Sequence, residues 1–257
     1  MERIVDLIGA GRIGGALHRR AVERGVAGAL VRRTEGWEAL SGASGRPIVV
    51  CTRNDDLDDV LARVPAHRRP DLVFVQNGAL RPYLTRVGLA DATRGLLFLA
   101  VPTRDHDVDP GGDSPFCGPH AEHVAEWMRA LDVPSTAVGA AAFAEVELEK
   151  LLWNACFGLL GSVWEEPVGA LVHRRHHELA MLVDEYLQVG GRALGVSVDP
   201  AAMLERLEAY SLSIPTFPAR AREWPWRNGW FEAEAAAQGV ALPVHEALVA
   251  RLTPGRA

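Results

Sequence analysis

The stretch that most constrains this chain is near its start. Ile4-Val5-Asp6-Leu7-Ile8 runs directly into Gly9-Ala10-Gly11-Arg12-Ile13-Gly14, a complete G-x-G-x-x-G, and a helical pattern follows. The first run is mostly apolar and β-branched, as a buried parallel strand requires. In the helical part Ile13, Leu17, Ala21 and Val22 share one face, while His18, Arg19, Arg20 and Glu23 face away. Strand, glycine turn and helix in that order separate a dinucleotide fingerprint from an ordinary glycine-rich turn. Gly9 permits the tight turn, Gly11 lets the backbone approach a pyrophosphate, and Gly14 lets the helix pack on the strand. Free N–H groups at the helix start, around Ala10, Arg12 and Ile13, then hold the phosphate charge.

A second strand is expected over Ala27–Val31, ending in Arg32-Arg33-Thr34. An acid about twenty residues past the glycines would accept hydrogen bonds from the ribose of NAD. Two arginines stand there instead, and guanidinium groups pair with a 2′-phosphate, so the expected cofactor is NADP(H). Further strands read over Arg46–Thr52, Asp71–Val75 and Leu96–Val101, with helical residues Leu57–Val64 between the first two. The polar, Asp/Gly/Pro-rich Thr103–Cys117 reads as a loop, His120–Leu131 as a helix and Ser135–Val138 as a last strand. Alternation of this kind gives a Rossmann-type, doubly wound parallel sheet, with ligands outside its C-terminal strand ends. Gly9, Arg32, Arg53 and Asn77 would converge there. From Phe143 onward only helical patterns occur. The expected organisation is therefore an α/β cofactor domain over 1–139 and an all-helical substrate domain over 140–257, with the active site between them.

Net charge −6, with arginines interleaved among acids, argues against nucleic-acid or membrane-surface partners. Cys51, Cys117 and Cys156 lack C-x-x-C spacing, which suits reduced thiols better than disulfides or zinc. Met1-Glu2-Arg3 leads straight into the first strand, and no apolar run approaches membrane-span length. The expectation is a soluble cytoplasmic protein, monomer or homodimer, acting on a small molecule. His173-Arg174-Arg175-His176-His177 and His120-x-x-His123 bring no carboxylate or thiolate at ligand spacing, so they read as solvated faces rather than metal sites. Asp105-His106-Asp107 reads as a surface turn.

The helical half opens on a largely apolar helix in which Lys150 and Asn154 lie at i and i+4, Gly158 continues their line, and Glu147 reaches Lys150. From this pattern alone the lysine either snorkels to water or is held in a site. Trp224, Trp226 and Trp230 cluster beside Glu223 and read mostly as packing.

Four features together resemble the ketopantoate reductase family over nearly the whole chain. They are Gly9 to Gly14, Gln76-Asn77-Gly78, Glu149-Lys150-Leu151-Leu152-Trp153-Asn154, and Ser211 twelve residues before Glu223 with a closing Asn228-Gly229. The resemblance implies that Lys150 is the general acid protonating a carbonyl oxygen as hydride arrives, and that Glu223 orients and charge-balances it. It implies Ser211 as the ligand of the substrate carboxylate and Asn154 as a substrate hydrogen-bond partner. Asn77 would lie near the ribose and nicotinamide, and Arg53 where the family has a lysine on the cofactor. Two positions depart from the family. Gly158 replaces a second asparagine, opening space on that face, and Pro215 replaces an aspartate. The expected function is NADPH-dependent reduction of a 2-oxo acid, or a related small carbonyl compound, with a changed substrate. The alternatives are a reductase of an imine or a specialised-metabolite ketone, and a catalytically silent NADP(H)-binding protein.

Overall fold

The computed structural model describes residues 4–252. Its first half is built on β1 (Val5–Ile8), all four residues buried, which continues through the glycine turn into α1 (Arg12–Glu23). Strands β2 (Ala27–Val31), β3 (Ile48–Val50) and β4 (Leu72–Phe74) pair parallel around it. Between β3 and β4 lies α2 (Leu57–Arg63), and after β4 comes α3 (Arg81–Arg86).

The fifth strand is displaced from its expected place. β5 is Thr93–Gly95, not Leu96–Val101; the later run supplies only β6 (Leu99–Ala100), which pairs with β7 (Asp109–Pro110) in a separate ribbon. The expected loop Thr103–Cys117 contains both β7 and β8 (Ser114–Cys117), and β8 joins the main sheet antiparallel to β5. Packing accounts for the difference. A Cβ at Gly95 would lie 2.3 Å from the Phe116 ring, so glycine is what lets β8 close on β5. Helix α4 (Ala121–Ala130) and β9 (Ser135–Ala137) complete a seven-stranded sheet in the order β2-β1-β3-β4-β5-β8-β9, parallel except at β5–β8.

On α1 the buried residues are Gly14, Ala16, Leu17 and Ala21, whereas Val22, expected on that face, is 57% exposed. A step of 100° from Ala21 carries Val22 past the edge of the stripe, and Ala16 takes the inner place. Leu7, Leu17, Val49, Val73, Phe116 and Trp127 meet in one core. The arginines of α1 are not simply solvated. Arg20 grips both oxygens of Asp107 at 2.7 and 2.8 Å, and Arg19 donates to the His106 carbonyl at 2.7 Å. The 102–108 segment is thereby strapped to the helix, and the Arg20 hydrogen bond holds the Asp107 carboxyl below the ordinary range.

The chain divides into two compact units, the second beginning after Phe143 in the first turn of α5 (Ala140–Trp164). The second unit continues with α6 (Val168–Arg174), α7 (His176–Leu194), α8 (Pro200–Ser213), α9 (Asn228–Gln238) and α10 (Pro243–Val249). Among the described residues, no helix is long and apolar enough to cross a membrane. No group of three or more His, Cys, Asp or Glu among them could hold a metal ion.

Candidate active site

The glycine turn brings strand and helix into close contact. Gly9 has φ +104°, a conformation that side chains resist. A Cβ at Gly14 would stand 2.0 Å from the Gly9 carbonyl oxygen, so the helix can meet the strand only with glycine there. A Cβ at Gly11 would meet nothing within 4 Å, which leaves an open approach to the exposed start of α1. Open backbone at Gly11 above a closed Gly9–Gly14 contact fits a pyrophosphate. Ala10 and Ile13 are partly buried, and Arg12 reaches the Pro102 carbonyl at 3.2 Å.

The basic residues beyond β2 stand at the surface. Arg32 pairs with Glu35 at 3.0 Å and Arg33 with Asp56 at 3.1 Å. Arg53 is exposed just before the short turn Asn54–Asp56. Asn77 is exposed beyond β4, held by Asn54, which the sequence reading gave no role, and by Gln76 of the same motif. Buried Asn54 donates to the Asn77 carbonyl at 2.9 Å, and Gln76 donates to the Val50 carbonyl at 2.9 Å.

In the second unit, α5 carries Lys150 and Asn154 one turn apart, both half-buried. Burial lowers the Lys150 ammonium to about 7, and the Arg227 guanidinium beside it acts in the same direction. Asn154 gives one of its two side-chain N–H groups to the Lys150 carbonyl at 2.8 Å, leaving the other N–H and the side-chain oxygen to offer.

Glu223 does not meet Lys150 as expected. Its carboxylate accepts from Arg227 at 2.7 Å, and it sits in the left-handed region at φ +51°. Arg227 therefore stands where a direct Glu–Lys pair was expected. The sequence reading passed over it, because no helical pattern links the two positions: Glu223 is in the left-handed region and the short 3-10 turn Trp224–Trp226 separates it from Arg227. A buried relay fixes its position. Asn228, the next residue, donates to the Ala155 carbonyl on α5 at 3.1 Å and to the Tyr186 hydroxyl at 3.0 Å. With its oxygen accepting from Asn228, Tyr186 gives its own proton to His245 Nδ1 at 2.6 Å, and His245 Nε2 then donates to Glu232 at 2.8 Å.

Ser211 is likewise placed differently from its expected role. It is fully buried, its hydroxyl donating to the Leu207 carbonyl at 2.8 Å and accepting from Trp153 Nε1 at 2.9 Å. Its one proton is thus committed within the fold. Nor does Gly158 open space. A Cβ there would stand 3.2 Å from the Arg220 carbonyl oxygen, and one at Gly161 would stand 2.3 Å from that of Ala219. The 219–221 backbone lies directly on this face of α5, and Ser162 secures it by accepting the Ala221 N–H at 2.9 Å.

No family model matches the chain, and no curated protein matches it in sequence. Solved structures do match it in shape. A D-mandelate dehydrogenase, solved with NADH and anilino(oxo)acetate, superposes with TM-score 0.76 at 13% identity over 97% of each chain. A dimeric ketopantoate reductase from Staphylococcus aureus gives 0.76 at 12% identity over 96% of each chain. One from Ralstonia eutropha JMP134 gives 0.73 at 17% identity over 96% of each chain.

The chain has the ketopantoate reductase fold. Within that fold Gly9, Gly11, Gly14, Arg32, Arg33, Arg53 and Asn77 all belong to the first unit. Lys150, Asn154, Ser211, Glu223 and Arg227 all belong to the second. The ketopantoate reductase fold here carries an arginine against the lysine and a serine turned inward, and neither feature was legible from the motif spacing.

Proposed function

We propose that this chain is an NADPH-dependent reductase that converts a 2-oxo acid, or a related small carbonyl compound, to its 2-hydroxy product. Residues 1–139 would hold the cofactor and 140–257 the proton donor. The observation that most supports this is Lys150, whose burial and cationic neighbour bring its proton into the range useful near neutral pH.

A reduced nicotinamide, when bound, supplies the hydride. The chain's own residues do the rest. Gly9 to Gly14 receive the pyrophosphate, and Arg32 and Arg33 receive the 2′-phosphate in place of Glu35 and Asp56. Arg53 and Asn77 contribute further polar contact at the cofactor. Lys150 Nζ gives its proton to the oxygen on which negative charge develops, and Arg227 adds to the field that favours that charge. Glu223 balances Arg227 and so acts on Lys150 at one remove. Asn154 offers its remaining side-chain N–H and its oxygen to the substrate. Two neighbours of this fold, a ketopantoate reductase and a D-mandelate dehydrogenase solved with NADH, lend the reading analogy.

The test is NADPH oxidation against a panel of 2-oxo acids with native protein and Lys150→Ala. Loss of turnover by about two to four orders of magnitude, with NADPH affinity kept, is the expected result. Turnover unchanged in Lys150→Ala contradicts the assignment.

A further inference from the structure

The second unit presents an aromatic cluster that packing alone does not explain. Trp153 lies at i+3 from Lys150 and next to Asn154, so its ring starts within one helical turn of both. Tyr210 meets it edge-on at 5.3 Å, Phe217 tilts against it at 5.9 Å, and Phe157 stacks beneath it at 5.6 Å. Tyr210 is nevertheless 41% exposed and Phe217 47% exposed. Large exposed rings that pack on a tryptophan within one turn of the candidate proton donor offer an apolar surface for a ligand.

The cluster is held rigidly. Ser211 fixes the Trp153 indole by accepting its N–H. The segment that carries Phe217 is pinned on both sides. The Phe217 carbonyl accepts from Val168 at 3.0 Å, the Pro215 carbonyl accepts from Gly169 at 3.0 Å, and Ala221 donates to Ser162. Meanwhile the polar groups that the family resemblance places here are gone. Ser211 has spent its proton internally, position 158 is a glycine under backbone, and position 215 is a proline. In place of those polar groups stand Tyr210 of α8 and Phe217, packed on Trp153 of the Lys150 helix.

Resting on the reductase reading above, we infer that Trp153, Tyr210 and Phe217 form an aryl-binding platform, and that the substrate is a 2-oxo acid bearing an aromatic or comparably bulky apolar group. The reaction is unchanged: hydride goes to the carbonyl carbon, the Lys150 proton goes to its oxygen, and the nicotinamide is oxidised.

The experiment compares kcat/KM for phenylglyoxylate and pyruvate with NADPH, in native protein and in Tyr210→Ala and Phe217→Ala. Met181→Ala, an exposed apolar change elsewhere, is the control. Native protein should prefer phenylglyoxylate, and each ring deletion should lower that preference by roughly tenfold, the scale of an apolar pocket contact. Native preference for pyruvate, or a ratio the ring variants leave unmoved, overturns the inference while the reductase reading stands. Calorimetry of phenylglyoxylate on the NADPH-loaded Lys150→Ala protein separates the two claims. If no 2-oxo acid turns over, the reductase reading falls; ring-dependent phenylglyoxylate binding then still supports the platform, and absence of binding overturns it. A native dimer that dissociates in Phe217→Ala would make the surface a subunit interface and also overturn it.

Discussion

Lys150 and Arg227 place two cations together in a half-buried site, and that arrangement has a pH signature. A general acid must be protonated, so the rate of carbonyl reduction should fall as pH rises through about 7. Removing the neighbouring charge should move that limb. Arg227→Met should raise the Lys150 pKa, because a repelling cation is lost. The activity limb should therefore shift to higher pH, whereas Arg227→Lys should leave it near its native place. A limb unmoved in Arg227→Met would show that Arg227 does not act on the lysine. The same shift bears on stability. The unfolded lysine holds its proton up to about 10.5 and the folded one only to about 7, so the unfolded state binds more protons between them. This group's contribution to stability therefore rises with pH across that window. For cofactor choice, Arg32→Ala with Arg33→Ala should weaken NADPH binding far more than NADH; equal weakening contradicts the 2′-phosphate reading. The glycine turn and the one-turn spacing of Lys150 and Asn154 on α5 were readable because each lies on one element, while the role expected of the lysine came from the resemblance. Arg227 and the inward turn of Ser211 were not readable, because their neighbours Asn228 and Trp153 fix them through hydrogen bonds that reach across more than forty residues of sequence.

At the scale of elements, strand–glycine–helix grammar carried the first half. β2 falls at Ala27–Val31 as read, and β1, β3 and β4 lie within their expected stretches. What failed was β5, where apolar content pointed to Leu96–Val101 but pairing is decided by Gly95 against Phe116. Periodicity describes which face a strand buries and cannot say which partner closes on it. The contact of α5 with the 219–221 backbone is a comparable case. Gly158 read as a gap along a helix face, yet there, as at Gly161, main chain lies against the helix. Gly161→Ala should therefore destabilise the chain by about 1–3 kcal/mol, an overpacking cost, and lower Tm in calorimetry. A Tm unchanged in that variant would mean that the strap over α5 yields freely.

For the molecule as a whole, the reductase reading makes stability depend on the nicotinamide cofactor. NADPH at about a hundred times its Kd should stabilise the fold by about 2.7 kcal/mol, visible as a raised Tm. No shift with either nicotinamide nucleotide would remove the basis for any cofactor chemistry. The measurement that reaches the centre of the account is the pH profile of NADPH oxidation with 2-oxo acids, for native protein and Lys150→Ala side by side. The account predicts native turnover that declines through about pH 7 and a variant with NADPH affinity intact but that turnover lost. Native turnover that is flat across neutral pH, or that survives in Lys150→Ala, would contradict it.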